Sequence, residues 1–441
     1  MAGAAAARLP KEPMMGAARG THGRRPTALV LGDTELVRPL ALAGIRCAVV
    51  APAGEATRFS RHVTTVLHWD WTDSAGGGDD ELLSRLLVYG RSQPEPPVLF
   101  YQSDEALLFV SRHREQLSQS FRFIVAETAI VETIVDKARF QVLAEALSLP
   151  VPATRVLAAK SAEPPDEAFR LGFPVIVKPH QRAHGTWESI EPARKALRVD
   201  SPKQLRALWP RLSALGHEFI MQQYVDGPES RIESYHVYVD GHGEIVAEFT
   251  GRKIRTRPLE YGHTSALTLT DTEDVARRGR ELMRILDLEG VAKFDFKRGP
   301  DGALHLLEVN PRFNLWHHAG ARAGVNIPAL VYADLTGRDR PKPARSRSDI
   351  RWCTPGDLHA ARESGVPLLR WLPWALSCEA KAVWAWDDPM PFLGTGTARV
   401  VGVLRDAFRL RPDPSRGHGG GLARTRMRGS SSLPPAERRY R

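Results

Sequence analysis

The amino-acid sequence predicts an α/β protein in which a small doubly wound α/β domain precedes a larger body of strands and helices. Two short apolar runs, 27–32 and 45–50, flank a segment with helical spacing, which is the order of a strand–helix–strand unit. Such runs are typical of parallel strands that are buried on both faces. Further along, residues 290–324 contain a β-hairpin pattern that carries a polar cluster. A chain of 441 residues is long enough for two or three domains or lobes.

The N-terminal domain is predicted over residues 26–126. Residues 35–43 have the apolar spacing of a helix, Val98–Tyr101 form a further apolar strand, and Ser103 is suited to cap the helix that follows. The loop 32–34 follows the first strand, at the sheet edge where open α/β sheets bind ligands. Its sequence lacks the glycine spacing of a dinucleotide-binding loop, so no dinucleotide site is predicted.

The excess of basic residues is confined to the two ends of the chain. The net charge is +10, of which residues 1–25 contribute +4 and residues 405–441 contribute +7, so the remainder is close to neutral. Both ends are rich in Ala, Gly, Pro, Ser or Arg and are predicted to be disordered tails. Basic tails can contact nucleic acid or anionic lipid. Solvated ends are the commoner case, and nucleic acid is not expected as a partner.

Hydropathy and cysteine usage indicate the compartment. No apolar run approaches the roughly 20 residues that a membrane helix needs, so no membrane span is predicted. Cys47, Cys353 and Cys378 are scattered, without the paired spacing of a zinc site or a disulfide framework. This usage fits a reducing compartment, and we expect a cytoplasmic protein. A homo-oligomer is compatible with the sequence.

The hairpin in residues 290–324 combines residue types that bind a hard cation. Its first strand alternates apolar and polar residues, an Asp-Gly turn follows, and the return strand carries Glu308 and Asn310. Antiparallel pairing across the turn would place Asp295 near Glu308. Two carboxylates and an amide oxygen suit Mg²⁺. Acid–turn–acid hairpins are common, however, and Asn-Pro often ends a strand, so the hairpin alone leaves a purely structural role open.

The strings FDF and LLEVNPRF, which contain these residues, resemble the metal-binding strands of the ATP-grasp superfamily. That superfamily includes biotin carboxylase, carbamoyl-phosphate synthetase and D-alanine–D-alanine ligase. The resemblance implies a two-lobed α+β ATP-grasp fold over residues 127–337, preceded by a pre-ATP-grasp domain at 26–126. It also implies ATP, with Mg²⁺ (or Mn²⁺ as an alternative) at Asp295, Glu308 and Asn310. Arg312 is a planar cation suited to an acyl phosphate.

Two lysines upstream match the phosphate-binding lysines of the superfamily. Lys137 lies in a predicted helical region, 127–147, and Lys178 ends the apolar run 175–177, where an ammonium must reach solvent or an anion. The segment 181–187 has the position of the superfamily's phosphate loop but contains a single glycine, and His184 is its candidate phosphate contact. On the residues alone, a helix-surface lysine or a loop histidine is more often simply exposed.

The segment after the apolar residues 219–221 resembles the adenine-binding hinge of the superfamily. The resemblance assigns the base contacts to Gln222, Gln223, Tyr224 and Val225. The Gly-Pro-Glu that follows matches a pattern of D-alanine–D-alanine ligase in which the glutamate binds ribose, which implies Glu229 for that role, with Glu233 as second choice. A polar turn after a strand would explain residues 226–228 but not the order of all these motifs.

The run GRKIRTR at 251–257 places four cations in seven residues, with Arg252 next to Lys253. Such a run is commonly a solvated face. Beside a nucleotide site it would be a clamp for phosphate or for the carboxylate of an acceptor, and we interpret it so. His317 and His318 are adjacent and cannot both point one way on a regular element, which disfavours a two-histidine metal site.

The strings FTGRKIR and EVNPRFNLWHHAGARAGVN resemble the carboxylate–amine ligases that include the D-aspartate ligases. The resemblance implies a ligase that joins a small-molecule carboxylate to an amine through an acyl phosphate and releases ADP and phosphate. Arg312, Arg252 and Lys253 would be its catalytic cations. Residues 338–350 are predicted to be a linker and 351–404 a Trp-rich appendage without chemistry. An ATP-grasp carboxylase or kinase, and a non-catalytic nucleotide-binding scaffold, stay open as alternatives.

Overall fold

The structure of the protein is a computed structural model. It describes residues 25–71, 78–159, 161, 163–180, 187, 190–191, 195–342 and 346–394. His184, residues 395–404 and the predicted basic tails, Arg25 excepted, lie outside these residues. Within them the chain forms three β-sheets.

The N-terminal sheet has four parallel strands in the spatial order β3-β2-β1-β4. Its strands are β1 (Ala28–Leu31), β2 (Cys47–Ala51), β3 (Val63–His68) and β4 (Val98–Tyr101). The helices that connect and follow them are α1 (Thr34–Leu42), α2 (Gly78–Arg91), α3 (Asp104–Arg112) and α4 (Arg114–Ser118). Strands β1, β2 and β4 are buried along their whole length, as the apolar runs predict. The α/β class predicted from the sequence is confirmed.

The helical region predicted over residues 127–147 is two helices, α5 (Thr128–Val135) and α6 (Lys137–Ala146). Asp136 separates them because its backbone is extended, with φ −80° and ψ 112°, and its carboxylate accepts hydrogen bonds from the N–H groups of Ala138 and Arg139. This is an N-cap, which satisfies donors that the first helical turn leaves unpaired. Lys137 is therefore the first residue of α6.

The second sheet has four antiparallel strands in the order β5-β8-β6-β7. They are β5 (Thr154–Ala158), β6 (Val175–Pro179), β7 (Leu197–Val199) and β8 (Glu218–Gln223), with α7 (Asp166–Phe169) and α8 (Pro202–Ala214) beside them. This sheet has a hydrophobic core of its own, in which the fully buried Trp209 packs edge-on against Phe219. The hydrophobic core of this lobe is therefore separate from the core that the N-terminal sheet shares with the third sheet.

The third sheet has seven strands in the order β13-β12-β9-β10-β11-β14-β15. They are β9 (Ile232–Val239), β10 (Ile245–Arg257), β11 (His263–Thr270), β12 (Gly290–Arg298), β13 (Leu304–Asn310), β14 (Arg351–Cys353) and β15 (Ala380–Lys381). Helix α9 (Glu273–Ile285) covers one face, where Gly279 lies against the ring of Tyr235. Helices α10 (His317–Arg322) and α11 (Ile327–Leu335) follow β13 and contact α1 of the N-terminal domain. The hairpin predicted from the sequence is the β12–β13 pair.

Residues 351–394, within the segment predicted as a Trp-rich appendage, contribute strands β14 and β15 to the large sheet. Strand β14 pairs with β11 and β15 with β14, and helices α12 (Asp357–Glu363), α13 (Leu368–Ser377) and α14 (Met390–Gly394) surround them. The fully buried Asp357 accepts hydrogen bonds from Arg255, Ser265 and Trp371. A buried carboxylate with three donors ties the segment to β10 and β11. Across the described residues, no helix combines the length and the hydropathy of a membrane span.

We expect Gly279→Ala to destabilise the protein. Alanine should favour a helix by about 1 kcal/mol, but here the added methyl group would overlap the ring of Tyr235, which is fully buried and whose hydroxyl is bonded to Glu248. Overpacking of this kind typically costs about 1–3 kcal/mol, so we expect the thermal melting temperature to fall by a few degrees. The exposed Arg277→Ala in the same helix is the matched control; an equal or higher melting temperature for Gly279→Ala would contradict the packing described here.

Candidate nucleotide and metal site

A cleft of about 670 Å³ lies between the second and the third sheets, with α3, α5 and α6 at its rim. It brings together most of the residues that the sequence predicts for the site. Those that line it are Lys137, Lys178, Gln222, Gln223, Tyr224, Val225, Glu229, Lys253, Asp295, Glu308 and Asn310. These residues come from six helices and strands and from the segment that follows β8, and they span more than 170 positions of the chain. Such convergence of polar groups in one concave site is what a ligand-binding pocket requires.

The β12–β13 register places Asp295 directly opposite Glu308, as the hairpin pattern predicts. Asp295 is only 4% exposed, its carboxylate accepts a short hydrogen bond from the hydroxyl of Ser234, and it lies 2.7 Å from the ammonium nitrogen of Lys293. Glu308 is exposed to the cleft. Desolvation in the cleft raises the pKa of Glu308, but the charges of Lys293 and Arg312 prevail and hold that pKa below its ordinary value. Glu308 is therefore ionised at neutral pH.

The oxygens of this cluster fit a hard divalent cation in type. Asp295 and Glu308 supply carboxylates, and Asn310, 6% exposed at the end of β13, supplies an amide oxygen that accepts a hydrogen bond of 3.0 Å from Arg312. In the described part of the chain, no group of three or more His, Cys, Asp and Glu side chains could hold a metal ion on its own. A cation bound here would therefore need the amide, water or a ligand oxygen to complete its coordination.

Both predicted lysines line the cleft, Lys137 from the start of α6 and Lys178 from β6. Lys178, at the end of β6, donates to the side-chain carbonyl of Gln222 at 3.3 Å, and Gln222 in turn donates to Thr154 at 2.9 Å. Lys137 donates to the backbone carbonyl of His180 at 3.0 Å. In these bonds both ammonium groups donate to uncharged oxygens.

Glu229 lies beside Lys297, a buried lysine of β12. The Lys297 ammonium is 3.6 Å from the Glu229 carboxylate and 5.0 Å from the centre of the Tyr224 ring. Burial lowers the pKa of Lys297, and the carboxylate of Glu229 opposes that shift. The signal for Lys297 was present in the sequence, because residues two apart on a strand share a face and Lys293, Asp295 and Lys297 follow that spacing. The same spacing indicates Lys293.

One of the two predicted cations of the clamp, Arg252, does not line the cleft. On β10, Arg252 is opposite Glu233, whereas its neighbour Gly251 is opposite Ser234, the partner of Asp295. Successive strand residues alternate between faces. Arg252 therefore lies on the face away from Asp295 and Glu308, and of the two cations only Lys253 lines the cleft. The adjacent-pair pattern could not distinguish them, because their faces depend on the register with β9.

Arg312 is bound by protein groups instead of facing the cleft. Its guanidinium donates to the carboxylate of Asp104 at 2.6 Å, to the carbonyl of Gln102 at 2.7 Å and to the amide oxygen of Asn310 at 3.0 Å. A further bond reaches the carbonyl of Phe313 at 3.3 Å. Four of its five N–H donors are thus used within the chain. The residue joins the start of α3 to the end of β13 and positions Asn310.

Comparison with solved structures identifies the fold. The chain matches the ADP complex of an N5-carboxyaminoimidazole ribonucleotide synthetase with a TM-score of 0.55 and 15% sequence identity, over 74% of this chain and 81% of that one. It matches an L-amino acid ligase from Bacillus licheniformis with a TM-score of 0.54 and 15% identity, over 74% of this chain and 76% of the other. The chain has the ATP-grasp fold. The two-lobed ATP-grasp architecture implied by the sequence motifs is thereby confirmed.

Sequence comparisons agree with the ATP-grasp fold. A family model described as "ATP-grasp in the biosynthetic pathway with Ter operon" matches residues 217–355. A D-aspartate ligase of Enterococcus faecium (strain Aus0004) is 22% identical over 232 residues, 51% of this chain and 55% of the relative. A D-alanine–D-alanine ligase of Stutzerimonas stutzeri (strain A1501) is 27% identical over 221 residues, 46% of this chain and 64% of the relative. The matched region spans less than two thirds of the length of either relative. Over that region the chain is similar to carboxylate–amine ligases.

The contacts of Arg312 predict energetic coupling between the N-terminal domain and the ATP-grasp fold. Arg312→Ala and Asp104→Ala should each lower the free energy of unfolding, and the double variant should lose about 1 kcal/mol less than the sum of the two, because the shared ion pair is counted once. The partial exposure of Asp104, 39% for its side chain, keeps the expected coupling at this modest size. Denaturant unfolding of the four proteins measures it. Strict additivity would show that the ion pair contributes nothing to stability.

Proposed function

We propose that this protein is an ATP- and Mg²⁺-dependent ligase that joins a small-molecule carboxylate to an amine through an acyl phosphate, with release of ADP and phosphate. The observation that supports this most is the placement of Asp295 opposite Glu308 in the same cleft as Lys137 and Lys178. A carboxylate pair and two ammonium groups in one cleft are suited to a nucleoside triphosphate bound with a divalent metal ion. The names of the relatives, D-aspartate ligase and D-alanine–D-alanine ligase, favour carboxylate–amine ligation.

The nucleotide would lie along the cleft from the hinge to the carboxylate pair. Gln222, Gln223, Tyr224 and Val225 would contact adenine, and Glu229, held by Lys297, would bind the ribose hydroxyls. Lys137 and Lys178 would neutralise the phosphates. Asp295, Glu308 and Asn310 would hold Mg²⁺ or Mn²⁺, which, when bound, supplies charge neutralisation at the transferred phosphoryl group.

The reaction would proceed by two displacements at positioned substrates. A substrate carboxylate oxygen attacks the γ-phosphorus, the bond to the bridging oxygen breaks, and ADP leaves. The amine nitrogen of the second substrate then attacks the acyl carbon, phosphate leaves, and the nitrogen loses a proton. Lys253 is the remaining candidate from the cationic run for contact with a substrate anion. Arg312 would contribute by positioning Asn310. The chain's contribution is orientation and charge stabilisation rather than a covalent nucleophile.

Within the described residues, Cys47, Cys353 and Cys378 are buried free thiols. Free thiols are consistent with a cytoplasmic ligase.

An ADP-release screen over pairs of small carboxylates and amines tests the function. We expect ADP formation that requires both partners and a divalent cation, together with a product that contains the new amide bond. ADP release with a carboxylate alone, with bicarbonate or with an alcohol would favour a carboxylase or kinase. No turnover with any pair, in a protein that binds MgATP, would favour a nucleotide-binding scaffold.

Glu308→Gln is the variant that separates a metal role from a structural one. The substitution keeps the shape and the hydrogen-bonding capacity of the side chain but removes one charge from the cleft. We expect turnover to fall by orders of magnitude, since a bound metal contributes several kcal/mol of transition-state stabilisation, while the melting temperature changes little. A folded Glu308→Gln protein with nearly normal ADP release at limiting Mg²⁺ would remove Glu308 from the metal set.

Lys178→Met should weaken the binding of MgATP at least roughly tenfold, because it removes one positive charge from the phosphate end of the cleft while keeping the apolar length of the side chain. Isothermal titration calorimetry with a non-hydrolysable ATP analogue measures the change. The control is Lys203→Met, at an exposed position of α8. Equal affinities for wild type and Lys178→Met would exclude this lysine from the nucleotide site.

A further inference from the structure

A lysine is built into the carboxylate cluster of the cleft. Lys293 precedes Asp295 by two positions on β12, so both side chains lie on the cleft face of the sheet. The Lys293 ammonium donates to Asp295 at 2.7 Å and lies 5.4 Å from the centre of the Trp316 ring. The side chains are 11% and 6% exposed, respectively. At this burial, the ion pair is not a mobile surface contact.

Both oxygens of the Asp295 carboxylate are bonded within the chain. Lys293 donates to Oδ2, and the hydroxyl of Ser234, a fully buried residue of β9, donates to Oδ1. Glu308, by contrast, is exposed to the cleft. The cluster therefore carries two negative charges and one positive charge that the protein itself supplies, and its carboxylates differ in accessibility.

The surroundings of Lys293 keep its ammonium in this position. On the neighbouring strand its backbone partner is His236, a fully buried residue whose ring lies 5.1 Å from that of Trp316. Across the hairpin its partner is Asn310, which is bonded to Arg312. The aromatic face of Trp316 attracts the cation and, together with the carboxylate of Asp295, favours this position of the ammonium.

We propose that Lys293 is a fixed positive charge beside the carboxylates of Asp295 and Glu308. This charge lowers the affinity of the empty cleft for a divalent metal ion, so that the metal ion enters together with the nucleotide phosphates. This inference rests on the proposed function in one respect, the assignment of Asp295 and Glu308 as metal ligands. A divalent ion beside Asp295 is repelled by the ammonium 2.7 Å from that carboxylate. The phosphates of ATP bring additional negative charge, which offsets this repulsion.

Titration of Mn²⁺ into the full-length, nucleotide-free protein at neutral pH tests the proposal. The loss of the free-ion signal in electron paramagnetic resonance measures bound Mn²⁺ without any need for turnover. Lys293→Met should bind Mn²⁺ roughly tenfold or more tightly than wild type, because one positive charge leaves the cluster while the apolar contact with Trp316 is kept. Lys293→Arg, which keeps the charge, should bind like wild type.

Lys297→Met is the matched control. It removes a buried lysine from the same face of the same strand, but the partner of that lysine is Glu229 instead of Asp295. Its Mn²⁺ affinity should stay within about twofold of wild type, since the effect of a charge falls with distance and screening. A gain as large as that of Lys293→Met would show a general charge effect of the cleft and would overturn the specific role of Lys293.

Unchanged, weaker or unmeasurable Mn²⁺ binding by folded Lys293→Met overturns the proposal. If that variant does not fold, Lys293→Gln removes the same charge, keeps a donor to Asp295 and carries the same expectation.

A parallel titration with MnATP separates this inference from the proposed function. Wild-type protein that fails to bind MnATP defeats the nucleotide site itself. If the wild-type protein binds MnATP but removal of the lysine does not raise the affinity for Mn²⁺, only the proposed role of Lys293 is wrong.

Discussion

The antiparallel pairing of β12 with β13 determines where the carboxylate pair of the cleft lies. It sets Asp295 opposite Glu308 and Lys293 opposite Asn310, while Phe294 and Phe296, on the other face, are fully buried. Burial of a phenylalanine side chain stabilises a fold by about 1.5–3 kcal/mol. A slip of one residue would exchange the faces, placing the phenyl rings in the cleft and the carboxylates in the core. The same hydrophobic burial that forms the sheet therefore holds the carboxylate pair in the cleft.

The charges of the cleft fall into two groups with different roles. Lys137 and Lys178 each donate a hydrogen bond to an uncharged oxygen, whereas Lys293 and Lys297 are each paired with a carboxylate. A buried ion pair contributes little net stability, because desolvation of both ions offsets their attraction. These pairs instead fix positions, since Lys293 holds the carboxylate of Asp295 and Lys297 holds that of Glu229.

The N-terminal domain is joined to the ATP-grasp fold by buried polar contacts as well as by apolar packing. Glu35, 2% exposed, accepts a hydrogen bond from Trp352 of β14, and Arg38 donates to backbone carbonyls of residues 381–383. Burial and the neighbouring carboxylate of Asp33 raise the pKa of Glu35 well above its ordinary value, although Arg38 opposes the shift. Together with the contacts of Arg312 near the start of α3, these bonds hold the N-terminal domain, whose helix α3 lies at the rim of the cleft, against the large sheet.

The sequence by itself determined the α/β class, the parallel N-terminal sheet and the hairpin, because these depend on local patterns. An apolar run forms a buried strand, and an Asp-Gly pair closes a turn, wherever the rest of the chain lies. The sequence also predicted Lys137, Lys178, Glu229 and the two carboxylates as site residues, since each belongs to a short contiguous motif.

Only the tertiary structure decided which neighbouring residues share the cleft. Arg252 and Lys253 are equivalent in the sequence, and it is the register of β10 against β9 that sends one to each face. Arg312 matches a phosphate-binding pattern, yet its guanidinium is bound by Asp104, 208 positions away in the chain. The partners of an arginine or a lysine are set by contacts between distant segments, and no local pattern specifies these. Strand alternation is fixed locally, but the face that meets a ligand is chosen only when the strands pair.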